Sequence, residues 1–129
     1  MAGTRSAEPT NLMVIMTRYQ RAAQLWSVLV FAAREQHILS YELTGKLTGL
    51  PERAVGENLS PIQDYCKQNG LPPLTVLVVS EKTGVPGGGF TAAQDILPAQ
   101  ARVFVYDWLS LRRTPTPEDF EQAARKAKH

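Results

Sequence analysis

Between Ser40 and Phe90 the chain sets two short helical patterns on either side of Leu50-Pro51. It follows them with the apolar run Leu74 to Val79 and then the glycine-rich stretch Lys82-Thr83-Gly84-Val85-Pro86-Gly87-Gly88-Gly89. Helix, turn, helix, strand and loop in that order are how a winged helix-turn-helix is written, and a turn-linked helix pair is a common way to place a helix in a DNA groove. The predicted fold class is therefore mostly α with a small β-wing, an α+β chain in which a winged helix-turn-helix core is flanked by N- and C-terminal helices.

Local signals place the elements. Apolar residues recur at helical spacing from Thr17 to Gln36 (Ala22, Leu25, Trp26, Leu29, Ala32, Ala33), and Val28, Val30 and Phe31 widen that face enough to predict a central supporting helix with Trp26 in the core. After the extended piece His37-Ile38-Leu39, Ser40 is a predicted N-cap, and Leu43 and Leu47 lie four apart on one face of a short helix ending near Gly49. Pro51 opens a helix over Glu52 to Leu59 that buries Ala54, Val55 and Leu59. Ser60-Pro61 restarts the chain as a further helix to Asn69, stopped by Gly70. Leu74 to Val79 is continuous and β-branched and reads as a buried strand, while Glu81 to Gly89 reads as an exposed, mobile loop. Leu97 to Arg113 is helical with a broad apolar surface, and Thr116-Pro117-Glu118-Asp119 signs the start of a last helix over residues 117–127. Residues 1–10 read as a disordered tail and 11–129 as one domain, because a chain of 129 residues holds a single modest core.

Charge and cysteine usage narrow the function. Fourteen Lys and Arg against twelve Asp and Glu leave a net charge of +2, too little for a protein that coats nucleic acid without selectivity, so a DNA contact must be confined to one face. The single cysteine, Cys66, excludes an internal disulfide and a multi-cysteine zinc site, suits a reducing compartment, and reads as a small packing residue. Met1 to Pro9 lacks the apolar core of a secretory signal, and the run Val28 to Ala33 is far shorter than the roughly 20 residues of a membrane span. A cytoplasmic protein of bacterial or phage type, with no membrane contact and no cofactor, is the expectation.

The segment Leu39-Ser40-Tyr41-Glu42-Leu43, then Arg53-Ala54-Val55-Gly56, then the proline-led strand Pro73 to Val79 and the glycine-rich loop resembles the DNA-binding domain of the O6-alkylguanine-DNA alkyltransferases and the alkyltransferase-like proteins. The resemblance covers residues 38–90. It implies that Arg53 enters the duplex stack where a nucleotide is flipped out, and that Tyr41 presses on the flipped nucleotide's phosphate. Extruding a base leaves a hole that a planar guanidinium can fill. Gly56 would let the recognition helix approach closely. With the basic and polar side chains around them, the DNA-binding set is Tyr41, Lys46, Arg53, Gly56, Asn58, Lys82 and Thr83, and the expected partner is double-stranded DNA, with altered or distorted DNA as the narrower expectation. The bland reading of Tyr41 and Arg53 is a core-edge tyrosine and a surface arginine.

The family's Pro-Cys-His-Arg sequence is absent, since Pro73 is followed by Leu74-Thr75-Val76-Leu77, and Cys66 has no histidine beside it. Alkyl transfer needs a thiolate activated by a neighbouring base, so a non-enzymatic protein is expected. The glycine loop lacks the Gly-Lys-Ser/Thr of a phosphate-binding loop, and with His37 alone near a helix end and His129 the last residue, no two-histidine metal site is expected. Glu52 and Glu57 on the recognition helix oppose phosphate. Together with the excess of apolar helical surface they support the alternative, a protein-interaction module on the same scaffold, as a phage or mobile-element factor, an adaptor or a homodimer.

Overall fold

The computed structural model describes residues 16–128; the tail predicted over residues 1–10 and His129 lie outside them. Helix α1 (Arg18–Arg34) starts at a capping box, in which Thr17 Oγ1 accepts from Gln20 N–H and Gln20 Oε1 accepts from Thr17 N–H. It buries Ala22, Leu25, Trp26, Leu29, Ala32 and Ala33 and is packed against by most of the other helices, the supporting role its wide apolar face predicts. Strand β1 (Leu39–Ser40) leads into α2 (Tyr41–Thr48), where Ser40 Oγ accepts from Leu43 N–H at 2.9 Å and Gly49, at φ 77°, ends the helix. A three-residue turn through Leu50-Pro51 then opens α3 (Glu52–Gln68).

The α2 face that packs on α3 is Thr44, Gly45 and Thr48, while Leu43 and Leu47 point outward. Gly45 explains the choice: a Cβ there would lie 2.5 Å from the Leu50 carbonyl oxygen, so only glycine lets the helix pair close this tightly. The two threonines hide their polarity by donating back along the helix, Thr44 to the Ser40 carbonyl and Thr48 to the Thr44 carbonyl.

Three predicted boundaries move. Glu52 to Leu59 and Pro61 to Asn69 form one helix, with Pro61 inside it. Proline cannot donate to the Glu57 carbonyl four residues back. The Arg18 guanidinium donates to that carbonyl instead, at 3.0 Å, so the orphaned acceptor is met from α1. The run Leu74 to Val79 is a 3-10 turn (Leu74–Leu77) and only then strand β2 (Val78–Val79), which pairs parallel with β1, Leu39 against Val78 and Ser40 against Val79. All six of these residues are buried, so the apolar run marked depth rather than extended backbone. No strand follows among the described residues of 80–95, and the predicted β-wing is a loop.

Helix α4 (Ile96–Val105) stops eight residues before Arg113, because Tyr106 turns extended and a short 3-10 segment (Trp108–Ser110) folds back. The Trp108 indole N–H donates to the Val103 carbonyl at 2.9 Å, satisfying an acceptor that the helix end leaves open, and its ring meets Trp26 edge-on at 5.7 Å. Helix α5 (Pro117–Ala127) begins at the Thr116–Asp119 capping box and packs along α3 and α1, where Phe120 joins Trp26 and Tyr65. The result is a mainly helical α+β domain around one core, with a two-stranded parallel sheet.

Candidate nucleic-acid interface

A small pocket lies where the start of α2, the middle of α3, the 3-10 turn and the glycine-rich loop meet. It is lined by Tyr41, Gly56, Leu59, Ser60, Gln63, Thr75, Gly89 and Phe90. Its volume is about 40 Å³, room for two or three waters. Gly56 leaves open space where a side chain would stand, which opens the α3 wall toward the pocket.

The loop does not hang free. Ser80 N–H donates to the Val85 carbonyl at 2.9 Å and Gly84 N–H to the Ser80 carbonyl at 2.8 Å, with Gly84 at φ 74°. Beyond this turn, Gly87 N–H donates to Tyr41 Oη at 2.7 Å, and a Cβ on Gly87 would press to 2.9 Å from that oxygen. Gln63, buried on α3, accepts from Thr91 N–H at 2.9 Å and donates to the Gly89 carbonyl at 3.4 Å. Only at Gly87 does a close approach call for glycine, and the end of the loop, Gly89 and Phe90, lines the pocket.

Thr75 forms the floor. It is 5% exposed, and its hydroxyl has no hydrogen-bond partner among the described residues. A buried hydroxyl left unpaired costs about 1–3 kcal/mol. Such a group is what a ligand or an ordered water satisfies.

Of the predicted DNA-binding set, Tyr41 and Gly56 both line the pocket. Arg53 lies one turn before Gly56 on α3, exposed, with no hydrogen bond or ion pair to a described residue. Lys46 is on the exposed side of α2 and pairs with Glu42 at 3.5 Å. Lys82 and Thr83 sit at the exposed tip of the Ser80–Val85 turn. Asn58 is misplaced in the predicted set: it is buried, and its amide donates to the Ala54 carbonyl at 2.8 Å, because position 58 faces the core side of α3. Arg18 and Arg21 on α1 hold carbonyls, Arg18 that of Glu57 and Arg21 that of Thr48.

Thr75, Ser60, Gln63 and Phe90 were not singled out from the sequence. The only sequence signal for Thr75 is its place in the apolar run after Pro73. Cys66 packs in the core on the far side of that run's entrance, and burial pushes its thiol up to about 12, so it is no thiolate at neutral pH. Among the described residues no group of three or more His, Cys, Asp or Glu is placed to hold a metal ion, and no helix is long and apolar enough to cross a membrane.

No protein-family model matches the sequence, no curated protein aligns with it, and no solved structure matches its fold. The functional reading rests on the pocket and its surroundings.

Proposed function

We propose that the chain is a small non-enzymatic DNA-binding protein of winged-helix type that recognises altered or distorted DNA. In this reading α2 and α3 are the helix-turn-helix, and residues 80–89 stand in the place of the wing. The observation that carries it is the turn-linked pair α2 and α3, closed over Gly45, with the Arg53 guanidinium exposed in the first turn of α3 and engaged by no described residue. A guanidinium so placed can fill the gap that an extruded base leaves in the stack.

The test is equilibrium binding to fluorescent duplex DNA, plain and carrying one O6-alkylguanine or one mismatch, between about 50 and 200 mM salt, where phosphate contacts reveal themselves. Affinity should fall with salt, the altered duplex should bind more tightly, and Arg53→Ala should weaken binding by at least about 1 kcal/mol, the scale of a good arginine contact. An Arg53→Ala protein with wild-type affinity overturns the role given to Arg53. No binding at low salt overturns the DNA reading itself.

A second reading, a protein-interaction module, is favoured by one observation. Phe31, Leu97, Val105 and Leu109 are 66, 78, 82 and 62% exposed, and Phe31 and Leu109 flank a groove over Trp26 and Trp108. Large apolar side chains exposed together mark association surfaces in soluble proteins.

A further inference from the structure

A hollow lies over the two tryptophans, on a face of the molecule that neither α2 nor α3 lines. Its volume is about 450 Å³, within the range of roughly 300–1,000 Å³ that small-molecule sites occupy. The buried residues Trp26, Val30 and Trp108 make its floor, and the exposed Phe31 and Leu109 stand at its sides with the half-buried Leu111. A smaller hollow of about 190 Å³ adjoins it and shares Val30, Arg34, Trp108 and Leu109.

Charge sets this hollow apart from an ordinary apolar patch. Two guanidinium groups line its larger part, and no carboxylate does. Arg113 is engaged, since Asp119 accepts from two of its nitrogens at 2.7 and 3.1 Å. Arg34 has no hydrogen bond or ion pair to a described residue, although Glu35 follows it in the chain and Asp107 lines the smaller hollow with it. The dipole of α1 favours a cation in its last turn, but it does not account for placing one where two apolar hollows meet. Ser27 and Thr114 each add an exposed hydroxyl to the lining, and a hydroxyl can donate to an anion.

We propose that this hollow is a binding site for a small apolar carboxylic acid, with its hydrocarbon body over Trp26 and Trp108 and its carboxylate on Arg34. The match is one of charge and surface. A neutral ligand leaves Arg34 without a partner, and an amine meets it with like charge. A phosphate monoester, close to −2 at neutral pH, calls for more than the one unengaged guanidinium that lines the hollow. A carboxylate takes two parallel hydrogen bonds from a single guanidinium, and an apolar chain beside it removes water from the aromatic floor. The inference stands apart from the DNA reading and competes with the protein-interaction reading for the same face.

Trp26 and Trp108 are the only tryptophans of the chain, so intrinsic fluorescence reports on this hollow alone. The full chain is titrated with hexanoate, octanoate and decanoate, and with 1-decanol and decylamine as the neutral and cationic counterparts. The acids should give a saturable change, with affinity rising by up to about fourfold per added methylene, the value of a fully buried one. Decanol and decylamine should bind at least about fivefold more weakly than decanoate, the upper end for an ion pair still touched by solvent. Arg34→Gln, at an exposed position, should bind decanoate about fivefold more weakly and decanol as the wild type does. Asp107→Asn, which removes the neighbouring carboxylate, should not weaken decanoate. Melting temperature should rise with decanoate, because a ligand of the folded state stabilises it.

Decanol or decylamine bound as tightly as decanoate overturns the proposal, as does an Arg34→Gln protein that binds decanoate like the wild type. A melting temperature that falls with decanoate marks detergent action and overturns it as well. No saturable change at millimolar acid overturns the proposal and leaves the face to a protein partner, while the DNA reading is untouched by either result.

Discussion

Asp119 shows how much one side chain can carry when several donors converge on it. Arg113 approaches it with two nitrogens, at 2.7 and 3.1 Å, and Thr116 N–H donates to it at 2.7 Å, so its carboxyl is held down to about 2 from an ordinary 3.8. A carboxyl lowered by folding contributes stability that is complete above its unfolded value and is lost as pH falls through its folded value. Here that window runs from about pH 4 to about pH 2. Asp119→Asn should lower stability by about 1 kcal/mol at neutral pH, the scale of a helix cap near solvent. It should also flatten the loss between those pH values, as read by denaturant melts. A variant with the wild-type pH dependence would remove Asp119 from the account. The Thr116-Pro117-Glu118-Asp119 pattern announced this cap, because all its partners but Arg113 lie within one helical turn. Thr75 is the opposite case: its own neighbours are apolar, and its hydroxyl becomes conspicuous only once α3 and the glycine loop close around it.

At the scale of elements, α3 runs through a proline that should have ended it. The Arg18 guanidinium on the Glu57 carbonyl explains how, and a double-mutant cycle measures it. Arg18→Ala should cost about 1 kcal/mol in the native background, the net value of one such hydrogen bond. In a Pro61→Ala background, where the restored N–H donates to Glu57, the cost should shrink toward zero. Strictly additive costs in urea denaturation would show that the carbonyl does not link the two residues. The continuity matters for the site, because Gly56, Ser60 and Gln63 line one pocket only if the helix does not break between them. Sequence reasoning split α3 because it weighed Pro61 against local partners alone. Likewise α4 ends at Val105 although the apolar pattern continues, since Trp108 gains more by turning back onto Val103 and Trp26 than by extending the helix.

For the whole molecule, the four most exposed large apolar residues among those described, Phe31, Leu97, Val105 and Leu109, lie on α1, α4 and the segment after it, and none of them lines the pocket. If the protein-interaction reading holds, light scattering should show mass rising with concentration, or with an added partner, and Phe31→Asp with Leu109→Asp should abolish it while leaving the duplex affinity unchanged. A monomer at every concentration removes the homodimer. What the amino-acid sequence determined by itself is the set of features complete within about four residues: the caps at Thr17, Ser40 and Thr116, the glycine stops at Gly49 and Gly70, and the tight turn between α2 and α3. Only the tertiary structure decided which face of α2 is buried, whether Pro61 breaks a helix, that the apolar run after Pro73 turns before it pairs, and that the glycine loop is tied down beside a lone buried hydroxyl. Those outcomes hang on single donors and acceptors reaching in from segments tens of residues away, and no local pattern records where such a partner will come from.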